Sequence, residues 1–367
     1  TSRYRDQAVD IRHVGKELGA RYVMEGGIRH AGTKVRINVQ LLDTLSGTHL
    51  WAETFNRNLE TVDVFDVQDE LTDRIVSTVA DPSGVLARSM AAPTDGRQPE
   101  TLTPYESVLR WFLYQHRVAP EDHLVTRTAL EHAVELEPRY ADAWACLAVL
   151  YLDEDRHEFN RLPDALDRAL GAARRAVDAD PANQLANYAL AQAYYYRRDL
   201  GAFRSAAERA IGLNLRDGNT VAMLGILIAY AGDWEKGVEI TKGAMKLNPH
   251  HPGWYRFAEA LDHYRKGDYS KSLESAQKIN MPEYFASHLV LAAVHAQMGN
   301  PDAARAAARE LVRLYPDYEQ RGQSEFLDKW YFAQPELIQH IVEGNRKAGL
   351  EMASQRDAWV AQADARS

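Results

Sequence analysis

Three groups of side chains in this 367-residue sequence could do chemistry. The first is the pair His250-His251, in the stretch NPHHP. Adjacent imidazoles could begin a metal site, but a closed zinc site needs four ligands and no others stand nearby in sequence. A turn that points the two rings apart is the preferred reading. The second group is Asp153, Glu154, Asp155, His157 and Glu158. It could hold a cation or a basic peptide, and a solvated insertion is the plainer expectation. The third is Tyr194-Tyr195-Tyr196, in a helical pattern; Tyr194 is expected in the core, which sends Tyr195 and Tyr196 elsewhere. No GxxxxGK[ST], HExxH, GxSxG or DxDxDG spacing occurs. GGIRHAG lies inside a hairpin pattern, so it is no dinucleotide fingerprint. The expectation is a chain without catalytic residues, metal ligands or cofactor.

Any site must then be built by the elements around these residues, and those elements repeat. Pro138, Pro181, Leu215, Pro249, Pro282 and Pro316 hold one place in a pattern, spaced 43, 34, 34, 33 and 34 residues apart. The long first interval carries the insertion DEDRHEFNRL, residues 153–162. Arg198-Asp199, Gly232-Asp233, Gly267-Asp268 and Gly299-Asn300 fall midway between the markers. Each repeat therefore reads as two helices and two turns, with a tight turn at the glycine and a proline after the second helix.

The front of the chain differs. Val35, Ile37, Val39 and Leu41 alternate with Arg36, Asn38 and Gln40, the period of a half-buried strand. HAGT (30–33) and TLSG (44–47) are turn chemistry, HLWAETF (49–55) is a third strand, and residues 9–19 form a short helix ending at Gly19. A second helix follows and stops at Pro82. A three-stranded meander leaves its edges open, so residues 1–80 are expected to self-associate. SMAAPTDGRQPETLTP reads as a flexible linker.

The repeats resemble the tetratricopeptide repeat. The family's large first-helix position matches Trp144, followed by Leu147, Ala148 and Tyr151; the next repeats carry Leu190, Ala191 and Tyr194, then Leu224 and Gly225. The small second-helix position matches Ala133, Ala176, Ala210 and Ala244. Leu215 and Glu259 depart from the pattern. The resemblance implies a mainly α solenoid of about six repeats over residues 104–318, with a helical cap and tail at 319–367 built from FLDKWYF and PELIQHIVEGNRKAGL. It also implies a concave groove lined by Tyr188, Gln192, Tyr195, Asn219, Ile226, Tyr230, Arg256 and His263, suited to an extended peptide or protein partner. The stretches YVMEGGIR and HLWAETF resemble the second half of a TolB-like domain, giving a partial α/β domain at 1–88 and a linker at 89–103. This order is similar to the C-terminal part of bacterial class III adenylate/guanylate cyclase-type signalling proteins. It implies a non-catalytic interaction or regulatory segment; the alternative is a small-molecule sensor coupled to an absent output domain. The start at Thr1 agrees with a piece of a longer protein.

Composition fits that expectation. Hydrophobic residues are 46% and charged residues 26%. The 43 basic against 52 acidic residues give a net charge of −9, a poor match to a phosphate backbone. The longest apolar run, VAMLGILIAYAG, is too short to cross a bilayer. The one cysteine, Cys146, reads as a small core residue and fits a reducing, cytoplasmic setting.

Overall fold

The computed structural model describes residues 10–79, 85–248, 251–324, 326 and 329–352. Pro82, Pro249, His250 and part of FLDKWYF lie outside them. The chain divides into two compact units, Thr1–Gly96 and Arg97–Ser367.

In the first unit, helix α1 (Ile11–Leu18) is capped by the Asp10 carboxylate, which accepts from the Arg12 amide, and ends at Gly19 with φ 62°. Strands β1 (Tyr22–Ala31), β2 (Lys34–Asp43) and β3 (Thr48–Asn58) form an antiparallel meander in the order β1-β2-β3. The alternation in β2 is realised as burial: Val39, with Phe55 of β3, packs on Val67 and Leu71 of α2 (Val64–Val79). The register puts Met24 and Ile28 of β1 opposite Leu41 and Ile37, on the apolar face, yet they remain 45% and 64% exposed. A short α3 (Val85–Ala91) follows.

Among the described residues the second unit begins with six helical hairpins: α4 (Pro104–Arg117) with α5 (Pro120–Leu136), α6 (Ala141–Arg156) with α7 (Ala165–Ala179), and α8 (Gln184–Tyr196) with α9 (Leu200–Leu213). Then come α10 (Gly218–Tyr230) with α11 (Trp234–Leu247), α12 (Phe257–Arg265) with α13 (Tyr269–Gln277), and α14 (Phe285–Gln297) with α15 (Pro301–Leu314). The repeated turn has one backbone solution. Arg198, Gly232, Gly267 and Gly299 all take positive φ, and Asp199, Asp233 and Asp268 then cap the next helix by accepting from its third amide. Ala133, Ala176, Ala210 and Ala244 are all buried, which lets paired helices approach closely. Where α10 and α11 cross, glycine meets glycine: a Cβ on Gly237 would sit 2.4 Å from the Gly225 carbonyl oxygen. Glu259 is accommodated by pairing with Lys242 at 3.1 Å and Arg256 at 3.5 Å.

After α15 come a short α16 (Tyr318–Ser324) and α17 (Pro335–Lys347). The expected first cap helix over FLDKWYF is not formed at its end: residues 330–334 are not helical. Helix α17 packs on α14, the last repeat's first helix, as a cap does. Residues 330–334 instead cross the first helices of earlier repeats.

Candidate functional site

The first helices α8, α10, α12 and α14 present aromatic side chains to one interior, and residues 330–334 occupy it. Tyr195 is fully buried against Phe203, with ring centroids 5.1 Å apart. Its hydroxyl donates to the carbonyl oxygens of Trp330 (2.8 Å) and Tyr331 (2.7 Å). The Ala333 amide donates to the Tyr230 carbonyl at 2.8 Å. The Trp234 indole N–H donates to Gln334 Oε1 at 2.9 Å. Phe332 meets the Tyr230 ring edge-on at 4.5 Å, and Trp330 stacks near Tyr230 at 6.3 Å and Tyr284 at 6.5 Å. Burial pushes the Tyr195 and Tyr230 phenols well above their ordinary range. Further along, Tyr264 donates to the His340 carbonyl of α17 at 2.8 Å. The other end of the segment is held by charge: Glu158 accepts from Arg321 at 2.8 Å and faces Lys329 at 3.2 Å.

The eight expected groove residues separate under this geometry. Tyr195 and Tyr230 do face the interior, but their own chain covers them, and Ile226 is buried as well. Tyr188 is half-buried and its hydroxyl accepts from Gln192 Nε2 at 2.9 Å; Gln192 Oε1 is buried without a hydrogen-bond partner. Asn219 accepts from the Tyr255 hydroxyl at 2.9 Å. Arg256 and His263 do not join the tyrosines. Arg256 pairs with Glu259, and the Glu274 carboxylate of α13 is held below its ordinary range first by its hydrogen bond to Lys278, with Arg256 and His263 as lesser influences. The α12 residues that meet the C-terminal segment are Phe257 and Tyr264, one position further along. Tyr264 lies 34 positions after Tyr230, so the repeat count from Tyr230 leads to it rather than to His263.

Two other expectations change. Tyr195, not Tyr194, is the fully buried residue of the triplet; Tyr194 is half-buried, and Tyr196 lies under the Arg156 guanidinium at 5.1 Å. The acidic run is not simply a solvated loop. Asp153 and Glu154 are the buried end of α6, where Asp153 accepts from the Tyr114 hydroxyl at 2.8 Å and pairs with Arg156 at 3.1 Å. Glu154 is held by Arg127 at 2.8 Å and by Arg168. These carboxylates are neutralised by the chain's own cations, which leaves no cation site of the kind the run suggested. Among the described residues no three His, Cys, Asp or Glu side chains are grouped as metal ligands, and no helix is long and apolar enough to cross a membrane. Cys146 is buried, and burial pushes its thiol up.

With this geometry in hand, comparison with solved structures fixes the architecture. The APC/C hetero-tetramer Cut9-Hcn1 superposes with a TM-score of 0.52 at 14% identity, over 71% of this chain and 54% of that one. The repeat array is a tetratricopeptide-type solenoid. At this identity the likeness is one of fold. The human IFIT1 dimer with m7Gppp-AAAA gives a TM-score of 0.49 at 17% identity, over 70% of this chain and 61% of that one. In sequence, a protein of Rhizobium meliloti (strain 1021) named "Putative adenylate cyclase 3" is 34% identical over 198 residues, 54% of this chain and 33% of that protein. The chain thus spans about a third of the curated relative it matches. No family model matches it.

Sequence reasoning missed Trp330, Phe332 and Gln334. The signal available was the run WYF at 330–332, three consecutive aromatics where a cap needs a polar outer face.

Proposed function

We propose that this chain is a non-catalytic protein-interaction segment of a bacterial cyclase-type signalling protein, acting in the cytoplasm. The observation that carries the reading is the solenoid together with its sequence relation to a protein named as an adenylate cyclase. In this reading the 1–88 region is the remnant of a TolB-like domain, followed by a linker and the repeats. The repeats bind a protein or peptide rather than nucleic acid, as the net charge of −9 favours. The exposed Met24 and Ile28 on edge strand β1 offer a surface for self-association. Two measurements test this. The chain alone should turn over neither ATP nor GTP to a cyclic product with Mg²⁺ or Mn²⁺. The part of the Rhizobium relative that this chain does not span, expressed separately, should bind it and change its cyclase rate. Turnover by the chain alone, or no binding and no change of rate, refutes the reading.

A second reading is favoured by Gln192 Oε1, buried without a partner beside Tyr188, a phenol on which the Arg156 charge acts. Such a group suits a small polar ligand, and the chain would then be a sensor. A saturable thermal shift with one member of a nucleotide or metabolite set, lost in Gln192→Leu, distinguishes it.

A further inference from the structure

We infer that the concave face of the repeats is a recognition site for an extended aromatic peptide, and that residues 329–334 occupy it in cis as a built-in competitor. This deepens the interaction reading and rests on it. The contacts at the site are of the kind a peptide ligand makes. Two are to backbone, from the Tyr195 hydroxyl to the carbonyls of Trp330 and Tyr331. One is backbone to backbone, from the Ala333 amide to the Tyr230 carbonyl. The specificity lies in two ring pockets and one amide. Phe332 sits against Tyr230, Trp330 lies among Phe257, Tyr284 and Tyr230, and Gln334 accepts from Trp234. Backbone contacts of this sort do not depend on which chain supplies the backbone. The occupant is therefore a partner segment of the form aromatic–any–aromatic–small–amide, the pattern that Trp330 to Gln334 spells.

Two features make the segment a latch rather than plain core. Residues 330–334 are not helical, whereas α16 before them and α17 after them are. Its two ends are fixed separately, by Glu158 with Arg321 and Lys329 on one side and by α17 on α14 on the other. Residues 330–334 are the stretch between these two anchors, and in the proposal they are the part that leaves the groove. A tethered competitor acts at an effective concentration of about a millimolar. A free peptide of equal intrinsic affinity then binds weakly until the latch is loosened.

The test uses the whole chain and a fluorescein-labelled peptide KWYFAQP, copying residues 329–335. Trp330→Ala with Gln334→Ala loosens the latch and leaves the groove intact. The peptide is expected to bind this variant about a hundredfold tighter than it binds the wild type. Adding Tyr195→Phe should take back about tenfold of the gain. Equal binding to wild type and variant, or to neither while circular dichroism shows native helix content, overturns the inference. Dimer formation by the variant in light scattering, without peptide binding, also overturns it, and makes a second copy the occupant. If the variant loses helix content, hydrogen exchange on the wild type decides: excess peptide should speed exchange of the Ala333 amide, and no change overturns the proposal. Loss of peptide binding with retained binding to the cyclase relative's remainder would remove this inference alone. Loss of both would remove the interaction reading as well.

Discussion

Replacing Tyr195 by phenylalanine removes one oxygen and leaves the ring that packs on Phe203 in place. The residue is fully buried, so water cannot substitute for the lost donor without opening the segment. One hydroxyl serves two carbonyls, at 2.8 and 2.7 Å. A buried neutral hydrogen bond contributes about 1 kcal/mol net, and orphaning an acceptor adds a further cost of about 1 kcal/mol or more. Two acceptors share the loss, so about 1.5 to 2 kcal/mol is expected. The whole unit need not melt in two states, since repeat arrays often do not, and a local probe is the better assay. The Ala333 amide, bonded to the Tyr230 carbonyl, reports opening of this segment. At about 1.4 kcal/mol per factor of ten, its hydrogen exchange should quicken roughly ten- to thirtyfold. Amides in α6 and α7, outside the segment's contacts, should keep their wild-type rates. An unchanged Ala333 rate, or the same acceleration throughout α6 and α7, would show that the hydroxyl does not hold this segment.

Glu154→Gln strips the charge that Arg127 and Arg168 share at a fully buried site; it should cost about 3 kcal/mol in a urea titration followed by circular dichroism. Gly253→Ala should cost about 2 kcal/mol in the same titration, because its Cβ would lie 1.6 Å from the Ile279 carbonyl oxygen and backbone must move. Burial holds the His157 imidazole down to about 4, against the attraction of Asp153 3.7 Å away and with Arg156, Lys329 and His123 adding to the depression. The unfolded chain takes up that proton near pH 6.5, the folded one only near 4, so stability should fall as the pH drops through that window. A series of melting temperatures from neutral pH to pH 4 checks it, and His157→Asn should flatten the slope.

The local grammar of the fold was legible because it is written in neighbouring residues. Glycine or its stand-in at the positive-φ turn, aspartate at the cap and alanine at the crossing recur with the period, and the structure places each where the period implies. The strands of the first unit were legible for the same reason: β2 alternates and the turns are marked. Long-range features were not. Tyr195 and Tyr331 are 136 positions apart, and no periodicity links them. On α12 the residue toward the C-terminal segment is Tyr264, 34 positions after Tyr230, and His263 was one position short of it. The acidic run misled because charge was counted without the arginines that helices α5 and α7 bring to it.

The ties from Glu158 to Arg321, 163 positions away, and from Tyr195 to Tyr331 also bear on how the chain is made. A plain solenoid gains stability repeat by repeat, each unit resting on the last. Here Tyr195, Tyr230 and Phe257 get their cover from residues that leave the ribosome about a hundred positions later, a wait of roughly 5 to 20 seconds at common synthesis speeds. For that interval the growing chain carries a wet aromatic trough. A stalled or prematurely stopped transcript should therefore yield a product that chaperones and proteases recognise, even though every helical hairpin in it is complete.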